Sequence, residues 1–216
     1  MALSPTSSRP SGLGNVVVSG TPSSGQEIVA SSATAASWQT PSAGSLTLIT
    51  NTVLGADGTF DMAGISQAYT DLVIMLLVRG TDAGAGGDQL RLRVNNDSTA
   101  GAYDTQYLLA NSSTVSSAPT LNSGGVIIAQ DVPAAAADAN YAAYVEVVIP
   151  GYASTTWYHR VASSWWSQRS SSTSRLYNGQ CVGTYKAVAA ITRVQVACVS
   201  TANLLAGSSM RLYGLT

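Results

Sequence analysis

From position 46 to its end, this chain nowhere sustains the roughly 3.6-residue apolar spacing of an amphipathic helix; instead, short runs of β-branched and aromatic residues recur between Gly, Ser and Asn turns. That pattern points to a sheet protein. Leu90-Arg91-Leu92-Arg93-Val94 and Arg193-Val194-Gln195-Val196-Ala197 alternate an apolar face with a charged or amide face, as in an antiparallel sheet wetted on one side. On the same grounds strands are predicted near residues 46–53, 69–78, 89–95, 103–110, 125–130, 141–149, 155–164, 180–187, 192–200 and 209–215. The alternation of strand and helix that builds a parallel sheet is absent, which leaves an antiparallel sandwich or barrel.

Leu72 to Val78 is apolar on both faces. Such a strand is either covered on both sides by its own protein or turned toward a neighbouring subunit. Residues 133–143, where alanines follow a proline suited to a first helical turn, fit one short helix or a loop equally well. Residues 80–87 read as a glycine-rich hairpin turn, without the lysine and following helix of a phosphate cradle.

The 216 residues are enough to bury a core, but only 10% of them are charged, against 45% hydrophobic. A net charge of −1, with Lys186 the single lysine, offers nothing to neutralise a nucleic-acid backbone. So little charge invites association, which suits a chain that lives inside an assembly. The longest apolar run is too short for membrane insertion, and the N-terminal residues predict no secretory leader. Cys181 and Cys198 both fall in predicted strands and are expected to be buried free thiols.

Residues 1–44 differ from the rest: Ser, Thr, Pro and Gly punctuate the short apolar stretches at Val16, Val17 and Val18 and at Ile28 and Val29. This reads as an extended arm of turns and strand-like pieces, too polar to close a core. Ordered backbone of this kind needs partners, which strand addition to a neighbouring sheet edge would supply. Val16, Val17, Val18, Ile28, Val29 and Trp38 would then be the apolar anchors in pockets of the partner.

Chemistry finds little support. His159 is the single histidine and reads as a partly exposed strand residue, and no Gly-x-Ser-x-Gly elbow accompanies it. Glu146 is the one glutamate after residue 44 and reads as the solvent-facing position of a strand, while Asp57, Asp82, Asp88, Asp97 and Asp104 look like turn formers. Two distant cysteines and one histidine make no zinc set, and Asn95-Asn96-Asp97 lacks calcium-loop spacing. No cofactor and no enzymatic activity are expected. Trp157, Tyr158, Trp165 and Trp166 concentrate aromatic area that serves as core, as subunit interface, or as a platform on which sugars stack. Strand alternation sends Trp165 and Trp166 to opposite faces.

The segment Phe60-Asp61 through Ile65-Ser66-Gln67-Ala68-Tyr69-Thr70-Asp71-Leu72, followed by Leu90-Arg91-Leu92-Arg93-Val94-Asn95-Asn96-Asp97 and Tyr103, resembles the jelly-roll domains of tailed-phage virion proteins. Ile149-Pro150-Gly151-Tyr152 and the closing stretch from Gly207 to Leu215 are similar as well, and Gly25 to Trp38 looks like the short elements that precede domains in phage fibre and appendage proteins. The resemblance implies an all-β fold: an antiparallel jelly-roll sandwich over residues 45–216, preceded by an extended N-terminal attachment arm over residues 1–44. It further implies a non-enzymatic structural virion protein, a homotrimer that decorates the capsid or forms a head fibre. Such a protein is assembled in the host cytoplasm and held to the major capsid protein or a tail protein through its arm. The absence of a shaft between arm and domain favours a short appendage. The alternative is a tail fibre or receptor-binding protein that recognises a host surface glycan.

Overall fold

The computed structural model describes residues 17–21, 23, 26–30, 32, 34–39, 46–83, 86–170, 176–200 and 202–216. Contacts divide the chain into two compact units, residues 1–45 and residues 46–216. Among the described residues every regular element is a strand.

The first unit holds β1 (Val17–Ser19), β2 (Glu27–Ala30) and β3 (Ala35–Gln39) in the order β1-β3-β2. β1 runs parallel to β3, and β2 pairs antiparallel with it through Ile28 opposite Trp38. The described part of the N-terminal region is therefore a small sheet and not an extended arm. Its strands satisfy one another's backbone groups, where the sequence suggested that a partner would do so.

The second unit contains β4 (Leu46–Val53), β5 (Phe60–Ala63), β6 (Asp71–Val78), β7 (Gly87–Val94), β8 (Tyr103–Asn111) and β9 (Thr114–Ser123). It continues with β10 (Val126–Pro133), β11 (Ala143–Pro150), β12 (His159–Gln168), β13 (Leu176–Tyr185), β14 (Arg193–Cys198) and β15 (Ser209–Leu215). A long sheet has the order β4-β15-β6-β11-β12-β13-β8-β9, and a short one β10-β7-β14-β5. All pairings in both are antiparallel. β10 crosses over β11, β12, β13 and β8, so the two sheets form a sandwich. Because β6 and β7 belong to different sheets, residues 79–86 carry the chain from one layer to the other and are not a hairpin turn; residues 84 and 85 of that stretch lie outside the described residues.

Period-2 alternation builds the core. Leu72, Ile74, Leu76 and Val78 from β6, Val145, Val147 and Ile149 from β11, and Leu90, Leu92 and Val94 from β7 all point into it. β13 contributes glycines at two of its inward positions. A Cβ at Gly183 would come 2.5 Å from Val126 Cγ1 of β10, and one at Gly179 would collide with the Leu108 carbonyl and meet the Trp165 ring at 2.9 Å. The missing side chains let β10 and the indole approach closely.

Two polar devices complete the sandwich. Asp131 of β10 is buried; it accepts a hydrogen bond from Ser167 Oγ of β12 at 2.6 Å and is ion-paired with Arg169, whose guanidinium lies 4.7 Å over the Tyr177 ring. Arg79 donates through Nη1 to the carbonyls of Asp138 and Tyr141 and through Nη2 to those of Ala134 and Ala137, all at 2.8–2.9 Å. Residues 134–142, which the sequence left open between helix and loop, are thus a loop folded around one guanidinium. Two strands went unpredicted, β5 and β9. β9 is rich in Ser and contains Pro119, a poor intrinsic strand former that is held at the sheet edge by its hairpin partner β8.

Removing one partner from a buried charge pair leaves the other without compensation. Asp131→Ala is expected to destabilise the sandwich by about 3 kcal/mol, read as a lower urea midpoint at unchanged slope.

Candidate interaction surface

The inward positions of the long sheet supply the core, and its alternate positions form a second, outer face. Strand register aligns that face in rows. One row runs Val53, Ser209, Leu77, Tyr144, Trp166 and Asn178 from β4 to β13. The next runs Asn51, Arg211, Met75, Glu146, Ser164 and Gln180, and the third Leu48, Tyr213, Val73, Val148, Ala162 and Val182. Arg211 and Glu146 are the only charged side chains in these rows. Val53, Leu48, Leu77, Trp166 and Val182 are each more than half exposed. Along β6 the inner positions are buried, and of the outer ones Leu77 is exposed, Met75 half-buried and Val73 buried.

The four aromatic residues singled out by the sequence separate. Trp165 is buried in the core, and Trp166 stands on the outer face, stacked on Tyr144 with ring centroids 4.4 Å apart. Trp157 and Tyr158 lie in the connection before β12 and are exposed, at 75% and 52%. Seven residues of strand rise, roughly 23 Å, separate that end of β12 from Trp166, so these rings do not form a single platform.

His159 is buried, contrary to the partly exposed position expected of it. Its ring packs 6.2 Å from that of Tyr185, and Nε2 lies 2.8 Å from the Ala189 carbonyl. Tyr185 in turn donates to Asp97 Oδ2 at 3.2 Å and stacks on Tyr103, which makes this end of the sandwich a satisfied polar cluster. Glu146 is half-buried at an outward position of β11. Asp88 and Asp104 lie in strands, β7 and β8, and not in turns; Asp97 does occupy a turn, where Oδ1 accepts from the Thr99 N–H at 2.8 Å. Among the described residues no group of three or more His, Cys, Asp or Glu side chains could hold a metal ion. Cys181 and Cys198 are buried free thiols, and burial pushes them up to about 11 and about 12 respectively.

In the N-terminal unit, Val17, Val18 and Ile28 are exposed, whereas Val29 and Trp38 are half-buried; Val16 lies outside the described residues. Sequence reasoning singled out the strand that carries Met75 and Leu77 but missed Tyr144, Gln180 and Val182 as surface-defining residues. Those three belong to ordinary strand patterns, and only register brings them into common rows with β6. No protein-family model matches this chain, and no curated protein sequence matches it.

At the edge of the outer face Asp104 accepts from the Asn122 backbone N–H at 2.8 Å and pairs with Lys186 at 3.0 Å; these contacts hold its carboxyl below the ordinary 3.8. Asp97, held down chiefly by the Thr99 N–H, and Asp61, held down chiefly by Arg193, behave alike. A carboxylate depressed in the folded state stabilises it above the unfolded pKa and loses that contribution as pH falls through the folded value. Urea midpoints are therefore expected to be flat from neutral pH down to about 4.5 and to decline below about 4. Lys186→Met should flatten part of that decline.

Proposed function

We propose that this protein is a non-enzymatic structural component of a tailed-phage virion, a homotrimeric capsid-decorating or head-fibre appendage with the N-terminal unit as its attachment. The observation that carries the reading is the outer face of β4, β15, β6 and β11, which exposes Val53, Leu77 and Leu48 and half exposes Met75, around one arginine and one glutamate. From strand spacing and rise this patch measures roughly 500 Å², near the upper limit that monomers leave uncovered. A face of this kind supports burial against other copies of the chain. Low overall charge agrees with a life inside an assembly.

The strand order supports a jelly roll. Strands β4-β15-β6-β11 and β5-β14-β7-β10 form two four-stranded sets in which β4, β5, β6 and β7 alternate between sheets. On this reading the hairpins β8-β9 and β12-β13 are insertions that widen one sheet. The N-terminal unit supports the attachment role through its exposed Val17, Val18 and Ile28, which would seat on a major capsid protein or a tail protein.

Light scattering of the purified chain at micromolar concentration should give about three times 22.1 kDa. Introducing Leu77→Asp together with Met75→Asp should give a folded monomer, and a monomeric native chain would refute the trimer. Deleting residues 1–40 should leave a soluble domain that no longer joins particles. Truncated protein found on purified virions at full copy number would refute attachment through the N-terminal unit.

A further inference from the structure

The outer face of the long sheet changes character beyond β11. Three adjoining cavities, of about 350, 290 and 360 Å³, follow one another over β12, β13 and β8. The first two share Val182, and the second and third share Ser164 and Gln180. They merge into a trough because the outward positions of β12 are small in its middle, at Ala162 and Ser164, and large at its ends, at Arg160 and Trp166. From Arg160 to Trp166 the strand rises roughly 20 Å.

We propose that this trough binds a neutral oligosaccharide. A sugar chain offers apolar ring faces and polar hydroxyl edges in alternation, and the lining answers both. Trp166, half exposed and braced from behind by Tyr144, presents a fixed indole face on which a pyranose ring stacks. Beside it the side chains of Ser164, Asn178, Gln180 and Glu146 have no hydrogen-bond partner among the described residues; the hydroxyl and the two amides can both donate to and accept from sugar hydroxyls, and the Glu146 carboxylate accepts from them. Arg160 is directed to Thr184 Oγ1 at the far end. The trough thus holds the free Glu146 carboxylate, the Asp104 carboxylate paired with Lys186 and the engaged Arg160 guanidinium, which leaves no unengaged cation for a phosphate or sulfate polymer and matches a neutral chain. A second copy of this protein would cover Asn178, Gln180 and Ser164 while pairing none of them by necessity, whereas hydroxyls supply a partner for each.

This inference needs only the sandwich and holds wherever the protein resides. It is tested on the full chain by tryptophan fluorescence and calorimetry with three probes: linear neutral hexasaccharides of glucose, of mannose and of N-acetylglucosamine. At least one is expected to bind saturably, with a dissociation constant between about 10 µM and 1 mM. Trp166→Ala should weaken that binding about tenfold or more, and Asn178→Ala with Gln180→Ala should weaken it several-fold, each with an unchanged circular-dichroism spectrum. Trp157→Ala, in the connection at the opposite end of β12, should bind like the native chain. The proposal is overturned if none of the three probes binds at about 10 mM, or if Trp166→Ala binds unchanged. It is equally overturned if the double amide variant alters oligomer mass in light scattering and leaves sugar binding intact, which would assign the trough to a second copy.

Discussion

Both faces of the long sheet depend on its strand register. Its strands alternate strictly, so a slip of one residue in any of them would send Leu76, Val145 and Trp165 outward and bring Met75, Glu146 and Trp166 into the core. Buried apolar area resists that exchange. Burying each large aliphatic side chain is worth about 2 kcal/mol, and a slip would forfeit several at once while desolvating Glu146 without a partner. The two glycines of β13 sharpen the constraint, because only that register sets Gly183 against Val126 and Gly179 against the Trp165 indole. The composition of the outer face is thus a consequence of how firmly the inner face is held.

The same physics explains what could be read without coordinates. The all-β class was legible because no helical period competes with the strand pattern, and most strands fall where alternation and turn residues placed them. The opposite fates of Trp165 and Trp166 were legible too, since they follow from adjacency in a strand. β9 was not, because its Ser-rich sequence has little preference of its own and takes its conformation from pairing with β8. The loop at 134–142 was ambiguous for a related reason: its shape is set by Arg79, more than fifty residues earlier in the chain. His159 was misplaced because its partner, the Ala189 carbonyl, sits in a connection that no local pattern joins to β12.

Rows of the outer face were beyond sequence for the same reason. Met75, Glu146, Ser164 and Gln180 lie in four different strands, and their alignment depends on three separate registers. What the residues alone did reveal was an anomaly, a strand apolar on both sides. The structure turns that anomaly into a location, the middle of a wide sheet on whose outer side Leu77 is exposed and Met75 half-buried.

Across that sheet the character of the exposed residues follows the topology. β4, β15, β6 and β11 alternate in chain order with strands of the opposing sheet, and their outer positions mix aliphatic side chains with Tyr144, Tyr213, Arg211 and Glu146. β12-β13 and β8-β9 are hairpins that lie edge to edge beyond β11, and they bring small residues, amides, one braced tryptophan and exposed aliphatic side chains such as Val182. The appended strands are partly relieved of closing the core at their far edge, where Leu108, Val115 and Leu121 remain exposed, so their sequence is freer to vary without unfolding the protein. A dry subunit interface and a surface that exchanges hydrogen bonds with hydroxyls, the two uses proposed for this face, would make opposite demands on side chains. With the second confined to the hairpins beyond β11, one continuous sheet could meet both demands, and Tyr144 and Trp166 stack where the two regions join.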